Sequence, residues 1–181
     1  MRDMTQANLR SAYGGESQAR NRYDIWGDIA KKDGYPNVAR LFHCTADAEK
    51  IHAGLHFKAM KDVKGDFLVA SMAGFGIGST SENLAAARGG EVFEYTEMYP
   101  AYIEVAQMQG EEEAVKAMRF AVEAEKIHAE LFGKAKEAVD SGKDLDSEKI
   151  YLCPVCGFVS LTGEEEVCPL CGCKRAIFVE Y

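Results

Sequence analysis

The sequence predicts a mainly α protein: a four-helix bundle with one long crossover, followed by a small β module built around a metal ion. Three observations carry that expectation. Residues 1–140 are rich in Ala, Glu and Lys and run for long stretches without Pro, the composition of long helices. The breaks between those stretches are short, then long, then short. Five of the six cysteines crowd into Cys153–Cys173, beyond the last helix.

The helices are expected over about 4–32, 37–62, 81–108 and 111–140. Asp33-Gly34-Tyr35-Pro36 separates the first from the second, because Gly ends helices and Pro starts them. Segment 63–80 is too long for a tight turn and reads as a crossover. Its GFGIG portion (Gly74–Gly78) lacks the spacing of a phosphate-binding loop, and no βαβ pattern surrounds it. Ser79 and Glu82 form a capping box for the third helix, Tyr99-Pro100 should kink it, and Gly110 separates it from the fourth. Short, long and short connections suit the ferritin-like bundle. Residues 141–149 read as a linker and 150–181 as a second domain.

Steps of three and four along each helix keep one stripe facing a partner. Helix one gives Leu9, Ala12, Glu16, Ala19, Tyr23, Trp26 and Ala30. Helix two gives Val38, Leu41, Thr45, Ala48, His52, Leu55 and Ala59. Helix three gives Leu84, Ala87, Glu91, Glu94, Met98, Ala101, Val105 and Met108. Helix four gives Ala114, Ala117, Ala121, Ala124, His128, Leu131, Ala135 and Ala138. Each stripe is apolar except near its middle, where Glu or His intrudes. A buried carboxylate left unpaired costs several kcal/mol, so these groups must be neutralised or bound to a cation.

The hexapeptide AEKIHA occurs twice, at Ala48–Ala53 and Ala124–Ala129. In Glu49-x-x-His52 and Glu125-x-x-His128, residues three apart lie on neighbouring helical faces, so both reach inward. Glu16 and Glu91 complete one Glu from each of two helices and a Glu-x-x-His from each of the others, the pattern of a di-iron or di-manganese carboxylate site. The duplication is wider still. Gly14-Gly15-Glu16 recurs as Gly89-Gly90-Glu91, at a spacing one position shorter than that between the two AEKIHA copies. Glu94 has no counterpart, since Ala19 stands in its place in helix one. An extra carboxylate on one side offers that metal a second choice of ligand. Tyr23 and Tyr99 fall near the seam, either as plain core residues or as hydrogen-bond donors to ligating carboxylates. His43 and His56 read as surface or packing residues, Cys44 as an inert buried thiol, and Glu97, Glu104 and Glu111–Glu113 as solvated faces.

The cysteine region contains Cys153-x-x-Cys156 and Cys168-x-x-Cys171, both of the form C-P-x-C-G. Two such pairs are a strong tetrathiolate signal. Spacing alone leaves a zinc ribbon, which it favours, beside a one-iron centre. A segment this short needs its metal to fold. Cys173 is a fifth thiol that reads by default as a spare, with a reactive residue and an alternative ligand as the other readings. The net charge of −8 argues against nucleic acid or an anionic membrane as partner. No run approaches the roughly 18 apolar residues of a membrane span, nor does the start read as a signal peptide, so a cytoplasmic location is expected.

YGGESQARNRY, the paired EKIHA motifs, GGEVFEYTEMYP and CPVCG…CPLCG together resemble the rubrerythrin family, over essentially the whole chain. That resemblance implies a di-iron site with ligands Glu16, Glu49, Glu91, Glu94, Glu125 and His128. It also implies a mobile ligand, His52, which Glu94 replaces on oxidation. Tyr23 and Tyr99 match tyrosines that hydrogen-bond the ligands. Cys153, Cys156, Cys168 and Cys171 match the ligands of a mononuclear iron in a rubredoxin-like domain. Cys173-Lys174-Arg175 departs from the Ala-Pro-Lys found in many relatives. The implied activity is a peroxidase of oxidative stress defence that reduces hydrogen peroxide to water, a nearby carboxylate helping to protonate it. Its electrons pass through the cysteine-bound iron from rubredoxin, ferredoxin or a rubredoxin reductase fed by NAD(P)H, and the protein is expected to be a homodimer. A ferritin-like ferroxidase and a zinc-ribbon interaction module are the competing readings.

Overall fold

The computed structural model describes all 181 residues. Helices α1 (Asp3–Lys32) and α2 (Pro36–Ala59) form one hairpin. The crossover follows, and the second half is α3 (Thr80–Phe93), a π-helical turn (Glu94–Met98), α4 (Tyr99–Met108) and α5 (Glu112–Asp140). The capping box at Ser79 and Glu82 is formed. No helix is long and apolar enough to cross a membrane.

The expected third helix is thus not a single regular rod. Its irregularity is a π turn placed just before Pro100, whose ring and missing N–H disrupt the preceding α-helical hydrogen bonds. A π turn holds one residue more than an α turn, so every side chain beyond it faces the core one position later than the three-and-four stripe requires. Tyr99 and Ala106 are buried, whereas Ala101 is exposed and Met108 is 77% exposed. The same insertion explains the uneven repeat. Glu16 maps onto Glu91 ahead of the π turn, whereas Tyr23 maps onto Tyr99 beyond it, one position further than the earlier spacing requires.

Apolar side chains fill both sides of the polar middle. On one side Tyr23, Trp26, Phe42 and Phe132 cluster, with the Phe42 and Phe132 rings 5.2 Å apart. On the other, Leu9, Ala12, Met118 and Ala121 pack with Tyr99. The crossover straps the outside of this bundle. Trp26 Nε1 donates to the Gly76 carbonyl at 3.0 Å, and Ser11 Oγ to that of Ala70 at 2.9 Å. A Cβ at Gly14 would lie 3.0 Å from Val69 Cγ1, so glycine there lets the strap approach α1. Nothing lies near Gly89, and the structure gives no reason for glycine at that second copy.

The C-terminal module is a three-stranded antiparallel sheet in the order β2 (Val159–Ser160), β1 (Tyr151–Leu152), β3 (Val179–Glu180). Its attachment is tight. Leu145 and Ile150 are buried in the bundle's aromatic core, and Tyr181 donates its hydroxyl proton to Asp47 Oδ2 at 2.6 Å. Asp144, in the segment expected to be a linker, accepts from the backbone N–H groups of Asn37 at 2.8 Å and Val38 at 3.1 Å. It therefore supplies the cap that α2 lacks locally. Asp144→Ala should cost about 1 kcal/mol and lower the melting temperature by about 2–4 °C. A melting temperature equal to that of the parent in the same metal state would refute the cap.

Candidate metal centres

Four helices each project a carboxylate into the middle of the bundle. Glu16 comes from α1, Glu49 from α2, Glu91 from α3 and Glu125 from α5, and all are fully or almost fully buried. One turn beyond Glu49 and Glu125 stand His52 and His128, also buried. The i,i+3 spacing puts each histidine beside its own glutamate: His52 Nδ1 lies 3.2 Å from Glu49 Oε2, and His128 Nδ1 lies 2.8 Å from Glu125 Oε2. Glu125 also reaches across, its Oε1 lying 2.8 Å from His52 Nδ1.

The donors fall into two overlapping groups. Glu16, Glu49, His52 and Glu125 form one, and Glu49, Glu91, Glu125 and His128 the other, with ligand atoms within 4.8 Å of one another in each. Glu49 and Glu125 belong to both, so two ions held here would share them. Glu16 Oε2, Glu49 Oε1 and Glu91 Oε2 are buried without a hydrogen-bond partner, and Glu125 Oε1 faces only the His52 Nδ1 that would itself turn to a metal. Orphaned acceptors converging in a dry interior are costly unless cations meet them. Oxygen-rich donor sets with one imidazole each suit an iron pair.

The outer contacts fix these donors in place. Tyr23 donates its hydroxyl proton to Glu91 Oε1, and Tyr99 donates to Glu16 Oε1. Each tyrosine thus holds the terminal carboxylate of the opposite half of the repeat. His52 Nε2 donates to the Cys156 carbonyl and His128 Nε2 to that of Gly157, both at 3.0 Å. Those carbonyls set the Nε2–H tautomer and leave Nδ1 to face a metal. Glu94 is only half-buried, at the start of the π turn, and belongs to neither group. One residue escapes the sequence reading. His56 is fully buried, with Nε2 2.8 Å from the Tyr99 hydroxyl and 3.7 Å from Glu16 Oε1. Its place one turn after His52 is the available signal. His43 lies partly exposed beside Asp24 and Asp28 on α1, away from the metal groups. Cys44 lies buried in the aromatic core.

Without metal, protons take the place of the cations. Burial, reinforced by Glu125 and Glu16, pushes the Glu49 carboxyl up to about 8. Burial and neighbouring carboxylates likewise hold Glu91 and Glu94 well above the usual range. Burial works against the cationic forms of His52 and His128, but Glu125 outweighs it and raises both. The histidines in turn overcome burial at Glu125 and draw it down to about 2, while Glu16 is also lowered. Five groups therefore keep protons in the folded chain that the unfolded chain releases, the three glutamates above about pH 4.5 and the two histidines above about pH 6.5. The folded state binds more protons across that window, so stability falls as pH rises, by about 1.4 kcal/mol per pH unit for each retained proton. Glu16 and Glu125 act in the opposite sense, their contribution being lost only as pH falls below that window. The metal-free chain should unfold at lower denaturant at about pH 8 than at about pH 5, and metal should remove the trend. A midpoint that is flat or rises with pH in the metal-free chain contradicts this.

Cys153, Cys156, Cys168 and Cys171 form the third donor group, their sulfurs within 4.8 Å of one another. Two equivalent turns hold them. Gly157 N–H donates to the Cys153 carbonyl and Gly172 N–H to that of Cys168, at 3.1 and 2.9 Å. Four convergent thiols with no disulfide fit one tetrahedral metal. The Arg175 guanidinium lies 4.0 Å over the Tyr151 ring and closes the module's far side.

Comparison with known proteins agrees with both centres. The family model described as Rubrerythrin matches residues 7–136. Rubrerythrin-2 of Clostridium acetobutylicum is 47% identical over 175 residues, covering 97% of this chain and 95% of that protein. Rubrerythrin of Nitratidesulfovibrio vulgaris is 37% identical over 177 residues, covering 96% and 92%. The solved structure of fully reduced, all-ferrous nigerythrin superposes with a TM-score of 0.89 at 34% identity, covering all of this chain and 88% of that one.

Proposed function

The chain belongs to the rubrerythrin family, and we propose that it is a non-haem di-iron peroxidase, reducing hydrogen peroxide to water with electrons relayed through the cysteine-bound iron. One observation carries the reading: His52 and His128 each hydrogen-bond a backbone carbonyl of the first cysteine turn. An iron held by those cysteines would be a one-electron carrier abutting the iron-pair donors within one chain. A ferroxidase, whose electrons come from its own substrate, has no use for that contact.

When bound, the iron pair supplies two electrons, one from each ion, to the O–O bond. Glu49 and Glu125 would be shared by the two ions, with Glu16 and His52 completing one set of donors and Glu91 and His128 the other. Tyr99 and Tyr23 keep the terminal carboxylates from rotating. Glu94 lies against Gly15, next to Glu16, and burial keeps its proton on. Glu94 would give that proton to the departing hydroxide, which leaves as water, and would then, as a carboxylate, be available in place of His52. A metal held by Cys153, Cys156, Cys168 and Cys171 would take its electrons from a reduced carrier such as rubredoxin, ferredoxin or a rubredoxin reductase, fed by NAD(P)H. The exposed crossover side chains Leu68, Phe75 and Ile77 are in keeping with a homodimer.

Anaerobic stopped-flow mixing of the fully reduced, iron-loaded protein with hydrogen peroxide, and separately with O2, tests the reading. Fast oxidation of the pair by peroxide, then oxidation of the cysteine centre, with O2 much slower, is the expected result. Faster oxidation by O2, or a cysteine centre that never changes colour, would rule the peroxidase out.

A further inference from the structure

The fifth clustered thiol is not placed as a spare. Cys173 Sγ lies 3.3 Å from Cys153 Sγ, nearer than Cys171 Sγ, which lies at 3.6 Å. The backbone explains why it is there. The two cysteine turns are copies, for Cys153 N–H donates to the Phe158 carbonyl and Cys168 N–H to that of Cys173, both at 2.8 Å. Cys173 therefore occupies the position that Phe158 holds in the first turn. There a nearly buried ring covers the sulfurs and packs on Phe178. In the second turn the covering group is itself a sulfur.

The four ligand thiols are also unequal. Cys153, Cys156 and Cys168 are buried, whereas Cys171 is partly exposed, as is Cys173 two residues on. The ligand most open to solvent is thus the one with a second thiol beside its neighbour. A glycine, Gly172, joins the two and leaves the backbone between them free of side-chain crowding.

We propose that Cys173 is a reserve ligand of the mononuclear site, taking the coordination position of Cys171 when that bond opens. Cys173 gives up its thiol proton and forms the sulfur–metal bond. The Cys171–metal bond breaks, and Cys171 takes up a proton. No electron changes hands. The count of four thiolates is kept, so the centre retains its tetrathiolate character through the exchange. The inference concerns metal retention and stands whether or not the peroxidase reading holds.

The test uses the full-length chain loaded with ferric iron, in Cys171→Ala, Cys173→Ala and the double variant. Visible absorption reads the tetrathiolate, and circular dichroism checks that the helices are intact. Cys171→Ala should stay red and the double variant should be colourless. Cys173→Ala, which keeps all four primary ligands, should stay red but surrender its cysteine-bound iron to a chelator several-fold faster than the parent. A Cys171→Ala chain as colourless as the double variant, with its helices intact, overturns the proposal. So does release from Cys173→Ala at the parent rate, a measurement that decides the matter even if Cys171→Ala disturbs the module.

Discussion

Replacing Glu125 by Gln is expected to empty the iron pair and take peroxide turnover to background, while the red cysteine centre remains. Glu125 makes the shortest contacts with both histidines, its two oxygens each 2.8 Å from an Nδ1, against 3.2 and 3.6 Å for Glu49. It also belongs to both four-residue donor groups. A neutral amide offers a metal one weak oxygen and turns an N–H donor towards the second position, so neither ion keeps its full set. The effect reaches the metal-free chain too, because the counter-charge that raises both histidines is gone. Glu94→Gln is the contrasting change. Glu94 lies outside both groups, so iron should stay bound and only turnover should fall. Iron content and peroxide consumption measured on both variants decide the matter. Full iron retention in Glu125→Gln would show that it is not a shared ligand.

Gly157→Ala should leave both metal centres loaded yet separate them. At φ +82° the backbone sits in the left-handed region, which costs a side-chain-bearing residue roughly 1–2 kcal/mol. The larger problem is space: a Cβ there would fall 2.2 Å from His52 Nε2. Neither atom can yield cheaply, since the imidazole is held by Glu49 and Glu125 and the glycine lies in the cysteine turn. The module must therefore shift away from α2 and α5, breaking the hydrogen bonds from His52 and His128. A displacement of about 1 Å in a positioned reaction system can cost on the order of 10²-fold in rate. The expected signature is selective: oxidation of the iron pair by peroxide at the parent rate, with transfer from the cysteine centre slowed by that order. Equal slowing of both phases would mean that the contact supports the iron pair rather than the relay.

Much of this is legible in the chain because the metal pair imposes a repeat. AEKIHA places Glu49, His52, Glu125 and His128 at spacings that only a helix turns inward, and the two Gly-Gly-Glu copies point to Glu16 and Glu91. What escapes a reading of the sequence depends on partners remote along the chain. Asp144 caps a helix that starts far earlier in the chain. Gln109, in the turn before α5, accepts from Thr5 at the start of α1. Such caps leave no local pattern. The spacing of His56 from His52 hints that it faces inward, but its role becomes visible only when Tyr99 arrives from another helix. The inward stripe of the third helix leads correctly to Glu91 and fails beyond Glu94, where a constant helical period no longer applies.

That lost period has a mechanical consequence. Each residue of an α-helix advances the side chains by about 100°, so one inserted residue acts as a phase shifter between the two ends of a rod. The α3 end is set by Glu91 in the donor cluster, and the α4 end by Tyr99 and Ala106 in the core. Neither end can rotate without losing its contacts, and the mismatch is confined to the five residues Glu94–Met98. Glu94 stands at the joint between two rods held out of phase. It is the one candidate donor to the iron pair not fixed by a regular helix.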